Sequence, residues 1–315
     1  SLGSVRVTRW LAIFYLGATI FVGLAPSPVV LGIALLLFGA SHGAMDVAMN
    51  SWATEVEKSL GRSVMASFHA MWSLGAGLGA ASGFLAVALG QGVAVHFTAI
   101  SVIGGALFGW FLLVSWTSPK VARDASAPAF ALPRGALILV GILALSAGLG
   151  EGAVADWSAV YLLDVVQTSE AQATLGYATF SVTMVVMRLS ADRVVTRFGP
   201  VAVARVSGVV AGAGILLVVG PGVFWASLLG FLLMGVGYAA LVPMAFSRAA
   251  EDPHVPPGQA IASVATLGYG AMLLGPPVIG FIAEASSLRA AFFMLAAFAL
   301  CVVVLAPVLS RNQAE

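Results

Sequence analysis

Long apolar runs separated by short polar or glycine-containing breaks dominate the chain. A helix needs about 20 mostly apolar residues to cross ~30 Å of hydrocarbon. Ten segments meet or approach that length, at 9–24, 28–52, 64–88, 93–117, 135–162, 171–190, 203–219, 222–246, 260–283 and 288–309. These runs are too long for strands, and only helices or closed barrels satisfy their own backbone in lipid. The pattern predicts an all-α polytopic membrane protein. The connections Ala25–Pro28, Leu89–Gly92 and Gly220–Gly222 carry no charge and are short enough to force antiparallel neighbours. Residues 118–134, SPKVARDASAPAFALPR, mix charges, prolines and small residues and read as a linker. The predicted organisation is a helical bundle over 1–117 with four spans, a linker over 118–134, and a six-helix bundle over 135–315.

Composition sharpens this reading. Of the 315 residues, 60% are apolar and 9% charged, whereas soluble domains carry about 25% charged residues. The 36 glycines suit helices that approach closely in lipid. A net charge of +1 gives no reason to expect a nucleic-acid partner. Cys301 is the single cysteine, so no disulfide framework exists. Orientation follows from the basic residues, which concentrate in cytoplasmic loops of membrane proteins. With the start of the chain cytoplasmic, every Lys and Arg except Arg289 falls inside. Both ends of the chain are then cytoplasmic, in a bacterial inner membrane.

The chain also repeats itself. Gly3, Val5, Val7 and Arg9 align with Gly199, Val201, Val203 and Arg205 at an offset of 196, and the same register matches Gly39 with Gly235, Ala66 and Ser67 with Ala262 and Ser263, and Gly79 with Gly275. Four spans in the first copy against six in the second imply a 6+6 architecture entered after its first two spans. A signal anchor over 6–24 is the alternative, but it leaves the copied loop unexplained.

The loop from Arg188 through Asp192, Arg193 and Arg197 to Gly199 resembles the signature between spans eight and nine of the major facilitator superfamily. GAMDVAMN at 43–50 and ASFHAMWSLGAG at 66–77 resemble the fucose:proton symporter branch, as do EGAVADW at 151–157 and GPPVIG at 275–280. The resemblance implies two six-helix bundles that rock about a central site. It links an acid at the position of Asp46 to proton coupling and sugar binding, and an amide-bearing position, here His69, to sugar contact. It makes Arg188, Asp192, Arg193 and Arg197 a charge relay that latches the two halves and breaks during gating. It also places Trp72 and Tyr269 beside cavity positions, with Tyr238 and Phe246 as further candidates.

Ionisable groups inside a span are costly and default to functional candidates. His42, Asp46 and Asn50, spaced four residues apart, form one polar stripe on a helix. A carboxylate in low dielectric is suited to taking up and releasing a proton, so Asp46 and Glu151 are the proton-coupling candidates. His42, Asn50, His69, Trp72 and Tyr269 are the substrate-binding candidates. Counting along its helix puts Glu151 about 25 Å in from Arg134, toward the outer side. Gly148, Gly150 and Gly152 around it predict a bend, and Trp157 reads as an interfacial anchor. Asp192 is placed to cap the helix beginning near residue 260. Gly75, Gly79 and Gly83 read as a close-packing face, and Pro276 and Pro277 as a kink.

No HExxH motif, facing aspartate pair, metal-ligand set or phosphate loop is present in the sequence, which argues against an enzyme, a metal centre, a cofactor or an ATP-driven pump. The reading is a monomeric, proton-coupled carrier of a small polar solute, with sugar-like compounds foremost. A drug efflux antiporter and a non-transporting remnant or sensor are the alternatives. The fifth span lacks the Gly-Pro motif of drug/proton antiporters, which disfavours the first of these.

Overall fold

The computed structural model describes residues 3–119 and 132–310. Most of the predicted linker, with Lys120 and Arg123, lies outside the described residues, as does Arg311. The described residues form α1 (Ser4–Gly23), α2 (Pro28–Leu60), α3 (Met65–Ala88), α4 (Val93–Phe108), α5 (Ala136–Asp164), α6 (Glu170–Phe198), α7 (Pro200–Val219), α8 (Phe224–Tyr238), α9 (Leu241–Ala250), α10 (Pro257–Ala285) and α11 (Leu288–Leu305). Short 3₁₀ turns, Gly109–Leu113 and Ala306–Leu309, extend α4 and α11. With α8 and α9 taken as one broken rod, the helices fall on the ten apolar segments.

Local chemistry sets the helix ends. Proline occupies the first turn of α2, α7 and α10, where its missing N–H is not needed. Ser169 and Gln172 form a reciprocal capping box at the start of α6, and Ser287 accepts from the Ala290 N–H at α11. Gly199 joins α6 to α7 at φ 78°, a backbone region that disfavours side chains.

Eight of the rods, among the described residues, are long and apolar enough to cross a membrane. The remaining two are α3 and α6, and α6 interrupts its apolar sequence with Arg188, Asp192, Arg193 and Arg197. The outward surface confirms the medium. Leu273 is 75% exposed, Trp225 77% and Leu36 72%, a surface that would aggregate in water and is at rest in hydrocarbon.

The chain divides into two compact units. One comprises Ser1–Val56 with Leu74–Ala127, the other Glu57–Ser73 with Pro128–Glu315. In the second unit the tight contacts are made by glycine. A Cβ on Gly148 would come 2.8 Å from the Gly268 carbonyl of α10, and one on Gly214 would come 2.6 Å from the Gly230 carbonyl of α8. The glycines flanking Glu151 thus admit close neighbours, and α5 is continuous helix through them. The face expected at Gly75, Gly79 and Gly83 is not packed in this way. No described atom lies within 4 Å of a Cβ built at Gly75 or Gly79, and at Gly83 the nearest is His96 at 3.6 Å. Glycine spacing permits close approach, but a partner backbone must supply it. Pro276 and Pro277 lie inside the continuous helix α10.

The repeat extends to the elements. α1 and α7 start at Ser4 and Pro200 and end at Gly23 and Val219, keeping the 196-residue offset at both ends, and α2 and α8 start at Pro28 and Phe224 in the same register. Gly3 (φ 80°, ψ 148°) and Gly199 (φ 78°, ψ 153°) share one backbone conformation before α1 and α7. The copies differ at Ala239–Ala240, where the second breaks into α8 and α9 while α2 runs on. Pro243 lies just past the break. It has no N–H to offer the carbonyl four residues back, and its ring crowds that carbonyl. The first copy has Val47 at this position.

Candidate functional site

Three polar clusters lie within the two units. The first is in the middle of the second unit. Glu151 stands at the centre of the 29-residue α5, a helix about 43 Å long, and so sits more centrally than the count from Arg134 suggested. Its carboxylate pairs with Arg188 of α6, whose Nη2 donates to Oε1 at 3.1 Å and to Oε2 at 3.2 Å. Arg188 is 3% exposed and Glu151 18%.

Two neutral acceptors also hold Arg188. Its Nη1 donates to the Ser73 hydroxyl at 2.6 Å, and its Nε to the Ala239 carbonyl at 3.2 Å. That carbonyl is available because Pro243 cannot bond it. The Ser73 hydroxyl in turn donates a hydrogen bond to the His69 carbonyl at 3.1 Å, continuing the network along α3. The His69 ring lies 5.8 Å from that of Phe246. Tyr238 is fully buried against Gly150, where a methyl group would overlap its ring. The Tyr238 hydroxyl and His69 Nε2 are buried with no hydrogen-bond partner among the described residues. Of the remaining substrate-binding candidates in this region, Trp72 is 48% exposed and Tyr269 38%.

The second cluster caps α3. The N–H groups of Val64, Met65, Ala66 and Ser67 have no acceptor within the helix. Glu57 Oε1 accepts from Val64 at 2.9 Å and Met65 at 3.1 Å, and Asp192 accepts from Ala66 at 3.0 Å and Ser67 at 2.7 Å. Ser63 and Ser67 hydroxyls also donate to Asp192, and Ser247 donates to Glu57 Oε2 at 2.8 Å. Asp192 therefore caps the helix starting near residue 65 and not the one near 260. These two starts are equivalent in the repeat, and α10 begins with Pro257, which has no N–H to cap. Beside this cap is a cavity of about 220 Å³, lined by Arg62, Asp192, Ser247, Arg248 and Glu251 among others. Arg193 and Arg197 are exposed, with Arg197 lying over the Phe198 ring at 5.3 Å. The four-residue relay expected from sequence is thus distributed: Arg188 belongs to the central cluster, Asp192 to the cap, and the other two to the surface.

The third cluster is in the first unit. Asp46 and Asn50 are buried, and the Asn50 amide donates to Asp46 Oδ1 at 3.1 Å and to the Asp46 carbonyl at 2.9 Å. His42 continues the stripe between Phe38 and Tyr15, with ring centroids 6.4 and 5.6 Å away. Glu55, nearer the helix end, accepts from Ser4, Trp116 and Ser118. Trp157, read as an interfacial anchor, is half-buried with its ring against Gly280. Among the described residues, no three His, Cys, Asp or Glu side chains are grouped to hold a metal ion.

Sequence reasoning missed Ser73, Pro243 and the capping role of Glu57. A proline inside an apolar run and a carboxylate just before a helix start were the available signals for the last two.

The sequence pattern of the Major Facilitator Superfamily matches residues 140–314. The uncharacterised transporter y4wD of Sinorhizobium fredii is 55% identical over 99% of this chain and 82% of its own length. The chain belongs to the Major Facilitator Superfamily. This facilitator is a multi-pass membrane transporter of small molecules. Solved structures agree on the fold. The human organic anion transporter MFSD10 superposes with a TM-score of 0.76 at 18% identity, covering 97% of this facilitator and 78% of that chain. The Escherichia coli fucose:proton symporter gives 0.71 at 14% identity, covering 98% and 84%.

Proposed function

We propose that this facilitator is a proton-coupled secondary transporter of a small polar solute, working by alternating access. The observation that carries the reading is the buried Glu151–Arg188 pair halfway along α5. An ion pair taken out of water contributes little net stability, and ionisable groups at membrane depth mark transport pathways. In this reading Glu151 is one proton site and Asp46, in the His42–Asp46–Asn50 stripe, the other. His42, Asn50, His69, Trp72 and Tyr269 contact the solute. Protonation biases the conformational equilibrium because the two states bind the proton with different affinity.

The basic residues support an orientation with the α2–α3 turn and both chain ends cytoplasmic, in a bacterial inner membrane. The Glu57–Asp192 cap then lies on the cytoplasmic side and acts in gating with Arg193 and Arg197, in a protein working as a monomer. The structural relatives are named for different cargoes, an organic anion and fucose with a proton, so the solute must come from the site itself.

The test is uptake into proteoliposomes under an inward pH gradient, using a panel of sugars, polyols and small acids. Wild-type protein should accumulate at least one solute only with the gradient, and Asp46→Asn should abolish solute-driven proton flux. Unchanged proton flux in Asp46→Asn would remove Asp46 from coupling. Gradient-independent uptake would overturn coupling altogether.

A further inference from the structure

The two partners of the central ion pair are held unequally. Arg188 has three separate anchors, the Ala239 carbonyl, the Ser73 hydroxyl and Glu151. Glu151 has Arg188 as its only hydrogen-bond donor among the described residues, and is the more exposed of the two. If Glu151 is removed, the other two anchors keep the guanidinium in place with its Nη2 uncovered. A charged guanidinium nitrogen prefers a carboxylate to a hydroxyl or an amide, because that hydrogen bond is charge-assisted on both sides.

Two further polar atoms, the Tyr238 hydroxyl and His69 Nε2, are buried without partners in the same region. The titratable groups around the pair are Arg188 from α6, His69 from α3 and Tyr238 from α8. α10 presents Gly268 and Met272 to this stretch of α5, and α9 presents Phe246 to His69. Among the described residues, Arg188 is thus the one cation paired with Glu151.

Building on the carrier reading, we infer that the transported solute is a small hydroxylated carboxylate, a hydroxy acid or sugar acid, whose carboxylate replaces Glu151 on Arg188. Glu151 takes a proton from water on the entry side and leaves the guanidinium as the neutral acid. The solute anion then takes its place, and its hydroxyls meet Tyr238 and His69. One proton and one negative charge enter together, so a monoanion moves without net charge. On release Glu151 loses the proton and returns to Arg188.

The experiment uses the purified protein in nanodiscs, with tryptophan fluorescence and thermal stability as readouts. The probes are gluconate, glucuronate and lactate, with glucose and inositol as neutral counterparts. The acids should bind and the neutral compounds should not. Acid affinity should fall as pH rises, by up to tenfold per pH unit for one linked proton. Glu151→Gln should bind the acids with no such pH dependence, and Arg188→Gln should not bind them. If Arg188→Gln does not fold, Arg188→Lys serves, keeping the charge but losing the separate nitrogens that anchor it to Ala239 and Ser73, with expected weakening of at least tenfold. Equal binding of acids and neutral compounds, pH-independent acid binding by wild type, or no acid binding at all would overturn the inference. The two readings fail separately. Gradient-driven uptake of a neutral polyol without acid binding removes the acid site but keeps the coupled carrier. Acid binding as described without gradient-driven uptake does the reverse.

Discussion

At the residue scale, Gly150 shows how tightly the site is set. A methyl group at this position would overlap the buried Tyr238 ring, whereas at Gly152 the nearest atom is 3.8 Å away. Overpacking of a close contact costs about 1–3 kcal/mol, and replacing a helical glycine without a clash recovers up to about 1 kcal/mol. Gly150→Ala should therefore lower the melting temperature in detergent, while Gly152→Ala should leave it unchanged or raise it. Equal effects would show that Tyr238 yields freely. Glu151 and Arg188 stood out in the sequence because charge is rare in an apolar run. Their pairing was not legible, because they are 37 positions apart on different helices and nothing local links them. The polar stripe at His42, Asp46 and Asn50 was legible, since helical spacing alone puts those residues on one face.

At the scale of elements, the start of α3 is held by one carboxylate close in sequence, Glu57, and one distant, Asp192. Removing a cap costs about 0.5–2 kcal/mol, and the two carboxylates divide the four N–H groups between them. Glu57→Ala should speed hydrogen exchange at Val64 and Met65, and Asp192→Ala at Ala66 and Ser67. If either variant released all four amides equally, the cap would be a single cooperative unit and not two adjacent ones. The helix positions themselves were readable because hydrocarbon thickness sets a minimum length and polar breaks mark the ends. The break between α8 and α9 was not read, although Pro243 marks it. Its consequence depends on Arg188, which satisfies the carbonyl that the proline leaves unpaired.

At the scale of the whole molecule, the two copies keep the same scaffold and differ in chemistry. SWATE at 51–55 aligns with SRAAE at 247–251 in the common register, keeping Ser51 with Ser247 and Glu55 with Glu251. Glu55 ties together Ser4, Trp116 and Ser118 within the first unit. Asp46, in contrast, aligns with Val242, and the unbroken α2 with the α8–α9 break. The register thus keeps Ser51, Glu55 and the glycines Gly39 and Gly79 in both copies, while Asp46 has no acidic counterpart and the α8–α9 break has no equivalent in α2. The same register gives the topology a sharp test. Equivalent elements six spans apart, such as α1 and α7, cross the membrane in the same direction, and with α3 as a span the α2–α3 turn and the α3–α4 turn must face opposite sides. In a Cys301→Ser background, Arg62→Cys should react with an impermeant maleimide only from the cytoplasm and Leu89→Cys only from outside. Labelling of both from one side would contradict the helical reading of α3 as a membrane span. Reversed labelling would keep the span but invert the orientation drawn from the basic residues.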